Sequence, residues 1–305
     1  MFARLKKRLF ATHPLTIRQR IWRRIKYILR IKQLSKLLFA PHPLLDIRMR
    51  YVHKHEIGSY EYRLGLGAVD RPHYGYCVYH AAELAKKLGI PRISVVEFGV
   101  AGGNGLVNLE YHAQEIEKCL SVGIDIYGFD TGEGLPKPQD FRDLPYHWKQ
   151  GFFRMDVPLL ERQLKRSNLV FGDIRETSVN FFERFDPAPI GAIMHDFDYY
   201  SSTLSALQML EGDENYFLPR VFNYFDDIAG SEIEMYCDDT GERLAINEFN
   251  GQHEDIKIAD AYYLLARKVV QPWYHQIRIC HFFKHSQYNN FICKENEQRP
   301  LQHVT

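Results

Sequence analysis

The chain has 305 residues and a mass of 35.9 kDa, with 45% hydrophobic and 25% charged residues. This composition is typical of a globular protein and excludes a disordered, collagen-like or coiled-coil chain. The sequence contains no run of ~18 uncharged apolar residues and no secretory signal, so we expect a cytoplasmic protein. Five scattered cysteines without a CxxC pair indicate a reducing compartment and argue against a zinc site or a disulfide framework.

The formal net charge of +1 conceals an uneven distribution of charge. Residues 1–50 contain fourteen Lys or Arg residues and a single acid, Asp46, so the remainder of the chain is acidic. This asymmetry predicts a basic N-terminal segment, residues 1–50, followed by an enzyme-like domain over residues 51–305.

Apolar residues recur at helical spacing from Ile17 to Leu34, and basic residues fill much of the remaining surface. A basic amphipathic helix of this kind can lie on an anionic membrane, so residues 15–39 are a candidate for peripheral membrane contact. The alternative is that the apolar stripe packs on the domain or on a second copy of the chain, forming a homo-oligomer. Nucleic-acid binding or organelle targeting is the least favoured option, and no nucleic-acid partner is expected.

The domain alternates between strand and helix patterns. Short β-branched, apolar runs predict strands at residues 93–98, 124–129, 169–171, 190–194 and 221–225. Helical patterns lie at residues 105–119, 203–210 and 259–268, and residues 277–283 and 288–293 resemble the two strands of a hairpin. The alternation predicts an α/β fold: a doubly wound, mostly parallel sheet with a terminal antiparallel hairpin.

In such a sheet, ligands bind beyond the carboxyl ends of the strands. The first strand ends in a glycine-rich turn with Gly99, Gly102 and Gly103, but Ala101 stands where a dinucleotide motif has its second glycine. The second strand ends at Asp130, which is placed to accept hydrogen bonds from both ribose hydroxyls of a nucleoside cofactor. Packing of the turn and capping of the next helix are the alternative explanations.

Three further strand ends carry acids. Asp173 follows the third predicted strand, where it either orients an adenine or caps a helix. Asp196 follows the fourth strand, and Asp226 and Asp227 follow the fifth. Adjacent parallel strands lie ~4.8 Å apart, so these carboxylates can converge on one hard cation such as Mg2+. The alternative is that exposed acids, among them Asp198, cap the following helices.

Four motifs together resemble the class I S-adenosylmethionine-dependent methyltransferases, and more narrowly the macrocin O-methyltransferase family. They are residues 96–103 (VEFGVAGG), 128–136 (GFDTGEGLP), 195–203 (HDFDYYSST) and the pair Asp226 and Asp227. The resemblance covers roughly residues 93–295. It implies a seven-stranded Rossmann-like methyltransferase fold and methyl transfer to a hydroxyl of a sugar or a related small-molecule or glycan acceptor.

The resemblance also implies residue roles. S-adenosylmethionine would bind over the turn with Gly99, Gly102 and Gly103, with Asp130 on its ribose. Besides what the resemblance implies, Glu97 in the same motif and Asp173 after the third strand are further candidate cofactor-binding residues. Asp196, Asp226 and Asp227 would hold a divalent cation, most simply magnesium. Asp196 is the first candidate catalytic base because it stands beside the cation, and His195 is the second.

Two other functions remain open. A nicotinamide-dependent oxidoreductase shares the sheet, but it predicts an acid ~20 residues after the glycine turn, whereas Asp130 lies 31 residues after Gly99. A catalytically silent cofactor-binding or membrane-associated interaction protein is the third possibility, since a fold does not guarantee an activity.

Overall fold

The computed structural model describes residues 43–293. The predicted amphipathic helix at residues 15–39 lies outside this range, so its membrane contact and its role in a homo-oligomer stay predictions. Helix α1, Pro43–Lys54, runs through the predicted segment boundary at residue 50. Within the described part of the chain, no helix combines the length and the apolar character that crossing a bilayer requires.

Seven strands form one sheet in the order β3-β2-β1-β4-β5-β7-β6. The strands are β1 Arg92–Phe98, β2 Gly123–Asp130, β3 Asn168–Phe171, β4 Ile190–His195, β5 Phe217–Phe225, β6 Ile256–Asp260 and β7 Ile277–Phe282. Strands β1 to β5 are parallel, and β7 runs antiparallel to both β5 and β6. The predicted mostly parallel sheet with an antiparallel pair at its end is therefore confirmed.

Helices cover both faces of the sheet. After α1 they are α2 Tyr60–Leu66, α3 Pro72–Leu88, α4 Asn104–Leu120, α5 Val157–Gln163, α6 Ile174–Phe185, α7 Tyr200–Leu207, α8 Gly241–Gln252 and α9 Tyr262–Leu265. Alternate side chains of β1 enter two separate cores, because successive residues of a strand point to opposite faces. Ile93 and Val95 pack in the core that includes α3 and α4. Val96 and Phe98 pack in the core that includes α6, α7 and α8.

The antiparallel end pair is built from different residues than the sequence predicts. Residues 277–283 do contain a strand, β7, but its partner is β6 and not residues 288–293, which lie in turns and irregular structure. The hydrogen-bonding edges of β7 are occupied by β5 on one side and β6 on the other, so no edge is left for a hairpin partner. The predicted hairpin is wrong in this detail.

The helix predicted at residues 259–268 is also mostly wrong. Its first residues complete β6, and only the single turn of α9, Tyr262–Leu265, is helical. Strand β6 is short and half-buried at the edge of the sheet, and its pairing with β7 bridges residues far apart in sequence. A local pattern of apolar residues cannot reveal such a pairing.

The chain order creates a crevice above the centre of the sheet. From β1 the chain winds outward through β2 and β3, and it then returns to β4 on the other side of β1. The connections that follow β1 and β4 therefore diverge, which opens a space beyond the carboxyl ends of these two strands.

Candidate functional site

A cavity of about 330 Å3 occupies this position. Each of the five parallel strands supplies an acid or a glycine to its wall, either as its last residue or just after its end: Gly99, Asp130, Asp173, Asp196, Asp226 and Asp227. The structure thus brings six of the predicted site residues to one cavity. Glu97, Gly102, Gly103 and His195 do not line it.

Gly99 allows the loops after β1 and β4 to approach each other. Its backbone has a φ of +79°, and a Cβ atom at this position would lie 1.8 Å from the carbonyl oxygen of Asp196. The N–H of Asp196 donates to the carbonyl of Phe98 at 3.1 Å, and this hydrogen bond also holds the two loops close together. Only glycine satisfies both the left-handed conformation and the missing side-chain volume.

The other two glycines of the turn have different roles. A Cβ on Gly102 would meet no atom within 4 Å, whereas one on Gly103 would lie 2.1 Å from a methyl group of Leu160 in α5. Gly103 also has a φ of +79° and begins α4. It therefore serves helix packing, which is the alternative that the sequence left open for this turn.

The carboxylate of Asp130 joins the turns after β1 and β2. Its Oδ2 accepts from the N–H of Ala101 at 2.8 Å, and its Oδ1 accepts from the N–H of Gly132 at 2.6 Å. A carboxylate offers about four lone-pair sites, so two backbone bonds hold its position and leave capacity for further donors. Asp130 is half-buried on the cavity wall, a placement that suits the predicted contact with ribose hydroxyls.

Asp173 lines the cavity, but it is already engaged as a helix cap. Its carboxylate accepts from the N–H of Arg175 at the start of α6 at 2.9 Å, and it also pairs with the Arg175 guanidinium. This pairing lowers the pKa of Asp173, so the carboxylate stays ionised. Of the two roles predicted for Asp173, the structure displays the capping role.

Glu97 lies beneath the glycine turn and not on the cavity wall. It is buried, and one of its carboxyl oxygens accepts from the Tyr74 hydroxyl of α3 at 2.9 Å, while the other has no partner among the described residues. Burial raises its pKa to about 8, more than the hydrogen bond from Tyr74 lowers it. Glu97 is therefore a neutral support for the turn at pH 7.

Three carboxylates meet at the ends of β4 and β5. Asp196, Asp226 and Asp227 each offer one oxygen, and these oxygens all lie within 4.8 Å of one another. Asp227 is held in place because Oδ1 accepts from the Tyr236 hydroxyl at 2.7 Å and Oδ2 accepts from the N–H of Asp198 at 2.9 Å. We call Asp196, Asp226 and Asp227 the aspartate cluster.

The aspartate cluster is electrostatically unbalanced. Burial, followed by the charges of Asp226 and Asp227, raises the pKa of Asp196 well above its usual range. Burial and the charge of Asp226 raise the pKa of Asp227 to about 7. Neighbouring carboxylates of this kind require either a retained proton or a cation to offset their repulsion. Their exclusively oxygen donors match the ligand preference of Mg2+ or a similar hard cation.

Two further acids lie beside the aspartate cluster: Asp198, which the sequence analysis gave only as a possible helix cap, and Glu242, which it missed. Asp198 is buried, and burial together with Asp227 raises its pKa to about 9; the residue before helix α7 is Tyr199, so Asp198 is not the predicted cap. Glu242, at the start of α8, is fully buried, accepts from the N–H of Asp227 at 3.0 Å, and keeps Oε1 without a partner among the described residues. No local sequence signal points to Glu242, because the fold brings it from fifteen residues away.

The ring of His195 faces the sheet interior and not the cavity. It stacks on Phe225 with centroids 4.1 Å apart, and its Nε2 bonds to the side chain of Asn223 at 3.1 Å. Burial lowers the pKa of His195 to about 3. Because side chains alternate along a strand, the residue after His195 faces the cavity instead. The structure therefore does not support the predicted catalytic role of His195.

Two loops cover the cavity. The first, residues 131–156, follows β2 and contributes Trp148 and Phe153, and the second, residues 229–240, follows β5 and contributes Glu234. They contact each other through the Tyr146 hydroxyl, which donates to the carbonyl of Glu234. We call residues 131–156 the roof loop. Trp148 is half-buried, and its indole Nε1 is buried without a hydrogen-bond partner among the described residues.

The chain is similar to some solved structures, but it matches no known family by sequence. No model of a protein family matches the chain, and no curated protein sequence matches it. Among similar solved structures, the calicheamicin methyltransferase CalS11 is 19% identical with a TM-score of 0.49, and the match covers 80% of this chain and 93% of that one. The O-methyltransferase NovP is 13% identical with a TM-score of 0.48, over 78% of this chain and 97% of that one.

The fold is assigned from the topology of the sheet itself. Five parallel strands with an antiparallel pair at one end, helices on both faces, and a crevice where the strand order reverses form the arrangement that the sequence motifs predict. The predicted fold class is confirmed: the chain has a Rossmann-like fold with a mostly parallel seven-stranded sheet and an antiparallel pair at its end.

Proposed function

We propose that this protein transfers a methyl group from S-adenosylmethionine to a hydroxyl of a sugar or a related small-molecule or glycan acceptor, with the help of a divalent cation. The observation that carries this proposal is the position of the aspartate cluster. It lies on the wall of the same cavity as Gly99 and Asp130, so a nucleoside-binding half and a cation-binding half share one space.

The part of the cavity formed by the loops after β1 and β2, the donor half, would bind S-adenosylmethionine with a turn free of side-chain volume at Gly99 and with the carboxylate of Asp130. Gly99 leaves the turn after β1 without a side chain, and Asp130 is held at the cavity wall by two backbone N–H groups. Asp130 would accept hydrogen bonds from the ribose hydroxyls, and the roof loop would shield the bound donor from water. S-adenosylmethionine supplies the electrophilic methyl group when it is bound.

The part formed by the loops after β4 and β5, the acceptor half, would position the acceptor hydroxyl and provide a base. Asp196, Asp226 and Asp227 would hold Mg2+ through their oxygens, and the bound cation would favour the alkoxide form of an acceptor hydroxyl. With the cation bound, Asp196 would be ionised and would accept the hydroxyl proton on the carboxyl oxygen that does not hold the cation. The rigid attachment of Asp227 to Tyr236 and Asp198 would keep the acceptor oxygen aligned with the methyl group.

Calorimetric titration tests the proposal in stages. We expect S-adenosylmethionine to bind the protein alone, MgCl2 to bind separately, and a panel of nucleotide-linked and free sugars to include one that accepts labelled methyl. Binding of the donor without any metal binding or transfer would identify a silent cofactor-binding protein instead. Tight NADH binding in place of S-adenosylmethionine binding would identify an oxidoreductase.

A further inference from the structure

The tip of the roof loop is unusually exposed for its composition. Residues 149–154 are Lys, Gln, Gly, Phe, Phe and Arg, and all six are exposed. Phe152 and Phe153 expose 43% and 50% of their surface. Two adjacent exposed phenylalanines cost solvation free energy in a protein surrounded only by water. We call residues 149–154 the roof turn.

The backbone holds the roof turn in this exposed form. The N–H of Leu135 donates to the carbonyl of Phe152 at 2.8 Å, and the N–H of Gly151 donates to the carbonyl of Leu135 at 2.9 Å. A Cβ on Gly134 would lie 2.3 Å from the Phe152 carbonyl, so the turn sits directly on this glycine. Phe153 has a φ of +61°, a strained conformation for an aromatic residue that persists only where the surroundings impose it.

The charges around these rings indicate what covers them. Lys149 and Arg154 flank the two phenylalanines, and neither takes part in an ion pair among the described residues. Aromatic rings enter the boundary between headgroups and acyl chains of a bilayer, whereas lysine and arginine remain with anionic headgroups. An entirely apolar partner surface would leave these two cations without compensation.

We propose that the roof turn docks on an anionic lipid surface, with Phe152 and Phe153 in the acyl boundary and Lys149 and Arg154 at the headgroup phosphates. Phe153 also lines the cavity, so a docked roof turn places the cavity mouth at the membrane. The roof turn and residues 15–39, for which membrane contact is also predicted, are different parts of the sequence. The proposal does not depend on the methyltransferase activity.

A depth measurement tests the proposal at the residue itself. The full chain carrying Phe152→Trp is mixed with vesicles of equal parts phosphatidylcholine and phosphatidylglycerol, with bromine on the acyl chains to quench nearby indole. Phe283→Trp is the matched control, because Phe283 exposes 45% of its surface, precedes a lysine, and follows β7 at the opposite end of the strands from the cavity. We expect the added emission to be quenched for Phe152→Trp and not for Phe283→Trp.

Equal quenching of the two variants, or none in either, would overturn the proposal, even if residues 15–39 tether the protein to the vesicles. A second measurement uses sedimentation with the same vesicles. Phe152→Ser should weaken partitioning about tenfold and the pair Lys149→Gln with Arg154→Gln about tenfold or more, while Phe283→Ser should have little effect. If Phe152→Ser instead dissociates a dimer in the absence of lipid, the roof turn is a contact between copies of the chain and the proposal is wrong.

Discussion

The two halves of the cavity are made from the same kind of element, a loop that follows a parallel strand, yet their charges are balanced differently. In the half formed by β1 and β2, the carboxylate of Asp130 is satisfied by the N–H groups of Ala101 and Gly132. In the half formed by β4 and β5, the aspartate cluster places three carboxylates together, and the pKa values of Asp196 and Asp227 are raised.

This difference predicts which half a ligand would stabilise more. The half formed by β1 and β2 is complete by itself, so a nucleoside bound there would only add hydrogen bonds. The acceptor half holds buried repulsion that a cation would relieve, so binding of a cation would also stabilise the folded chain. Substitutions in the two halves should therefore have different effects, and the largest should arise in the aspartate cluster.

The largest effect should come from neutralising one member of the aspartate cluster. We expect Asp196→Asn or Asp227→Asn to reduce magnesium-dependent methyl transfer ~1000-fold, since a cation and its base contribute several kcal/mol to such reactions. Affinity for MgCl2, measured by calorimetry, should fall with it, while affinity for S-adenosylmethionine stays nearly constant. In EDTA, Asp196→Asn should be at least as stable as the wild type, because the amide avoids repulsion from Asp226 and Asp227 without having to take up a proton.

Glu232→Gln provides the control for charge alone, because Glu232 is exposed on the second covering loop and has the same formal charge. It should change neither magnesium affinity nor methyl transfer. Full transfer activity in Asp196→Asn would show that the aspartate cluster is not where the reaction occurs.

The next effect is on the free energy of unfolding, and it tests the close contact between Gly99 after β1 and Asp196 after β4. Gly99→Ala should destabilise the protein by ~3 kcal/mol or more, because the added Cβ would lie 1.8 Å from the Asp196 carbonyl oxygen and φ is +79°. Gly102→Ala is the matched control in the same turn, since its Cβ would meet nothing within 4 Å, and it should change stability by less than ~0.5 kcal/mol. Urea unfolding measures both, and equal effects would contradict the close approach at Gly99.

A third experiment uses pH. Because the pKa of Glu97 is raised from 4.5 to about 8, the folded state keeps a proton that the unfolded chain loses, and stability decreases as pH rises through that window. Glu97→Gln preserves the acceptor for Tyr74 and cannot ionise, so its advantage over the wild type should grow by ~3 kcal/mol between pH 5 and pH 8. Urea unfolding at several pH values measures the difference, and parallel pH profiles would show that Glu97 is ionised in the folded state.

These contrasts also mark the limit of prediction from sequence. The five parallel strands and the acids at their ends can be predicted from the sequence, because buried parallel strands are short β-branched runs. The carboxyl ends of these strands lie at one edge of the sheet, where ligands bind. The predicted hairpin is wrong because β7 pairs with β6 and not with residues 288–293. The local pattern of apolar residues does not encode which distant segment pairs with a given strand. Helix α3, which supplies Tyr74, was not predicted.

Within the site, the sequence alone also does not show which of Asp196 and His195 faces the cavity. His195 is the last residue of β4 and Asp196 is the next residue, and only the folded sheet decides that His195 stacks on Phe225 while Asp196 faces the cavity. Tyr236 and Glu242 support the aspartate cluster from later segments. Their contribution depends on tertiary packing, and their surrounding sequence carries no signal for it.

The smallest effect should come from the donor half. Asp130→Asn replaces one acceptor oxygen with an amide, so one of the N–H groups of Ala101 and Gly132 loses its partner and a ribose hydroxyl loses a charged acceptor. We expect affinity for S-adenosylmethionine to fall about tenfold, the scale of one hydrogen bond to a charged group, with magnesium affinity unchanged. Asp173→Asn should weaken donor binding less, because the Asp173 carboxylate is engaged by the N-terminus of α6 and by Arg175. If Asp173→Asn weakened the donor more than Asp130→Asn, the nucleoside would be held at β3, and the division of the cavity into two halves would have to be redrawn.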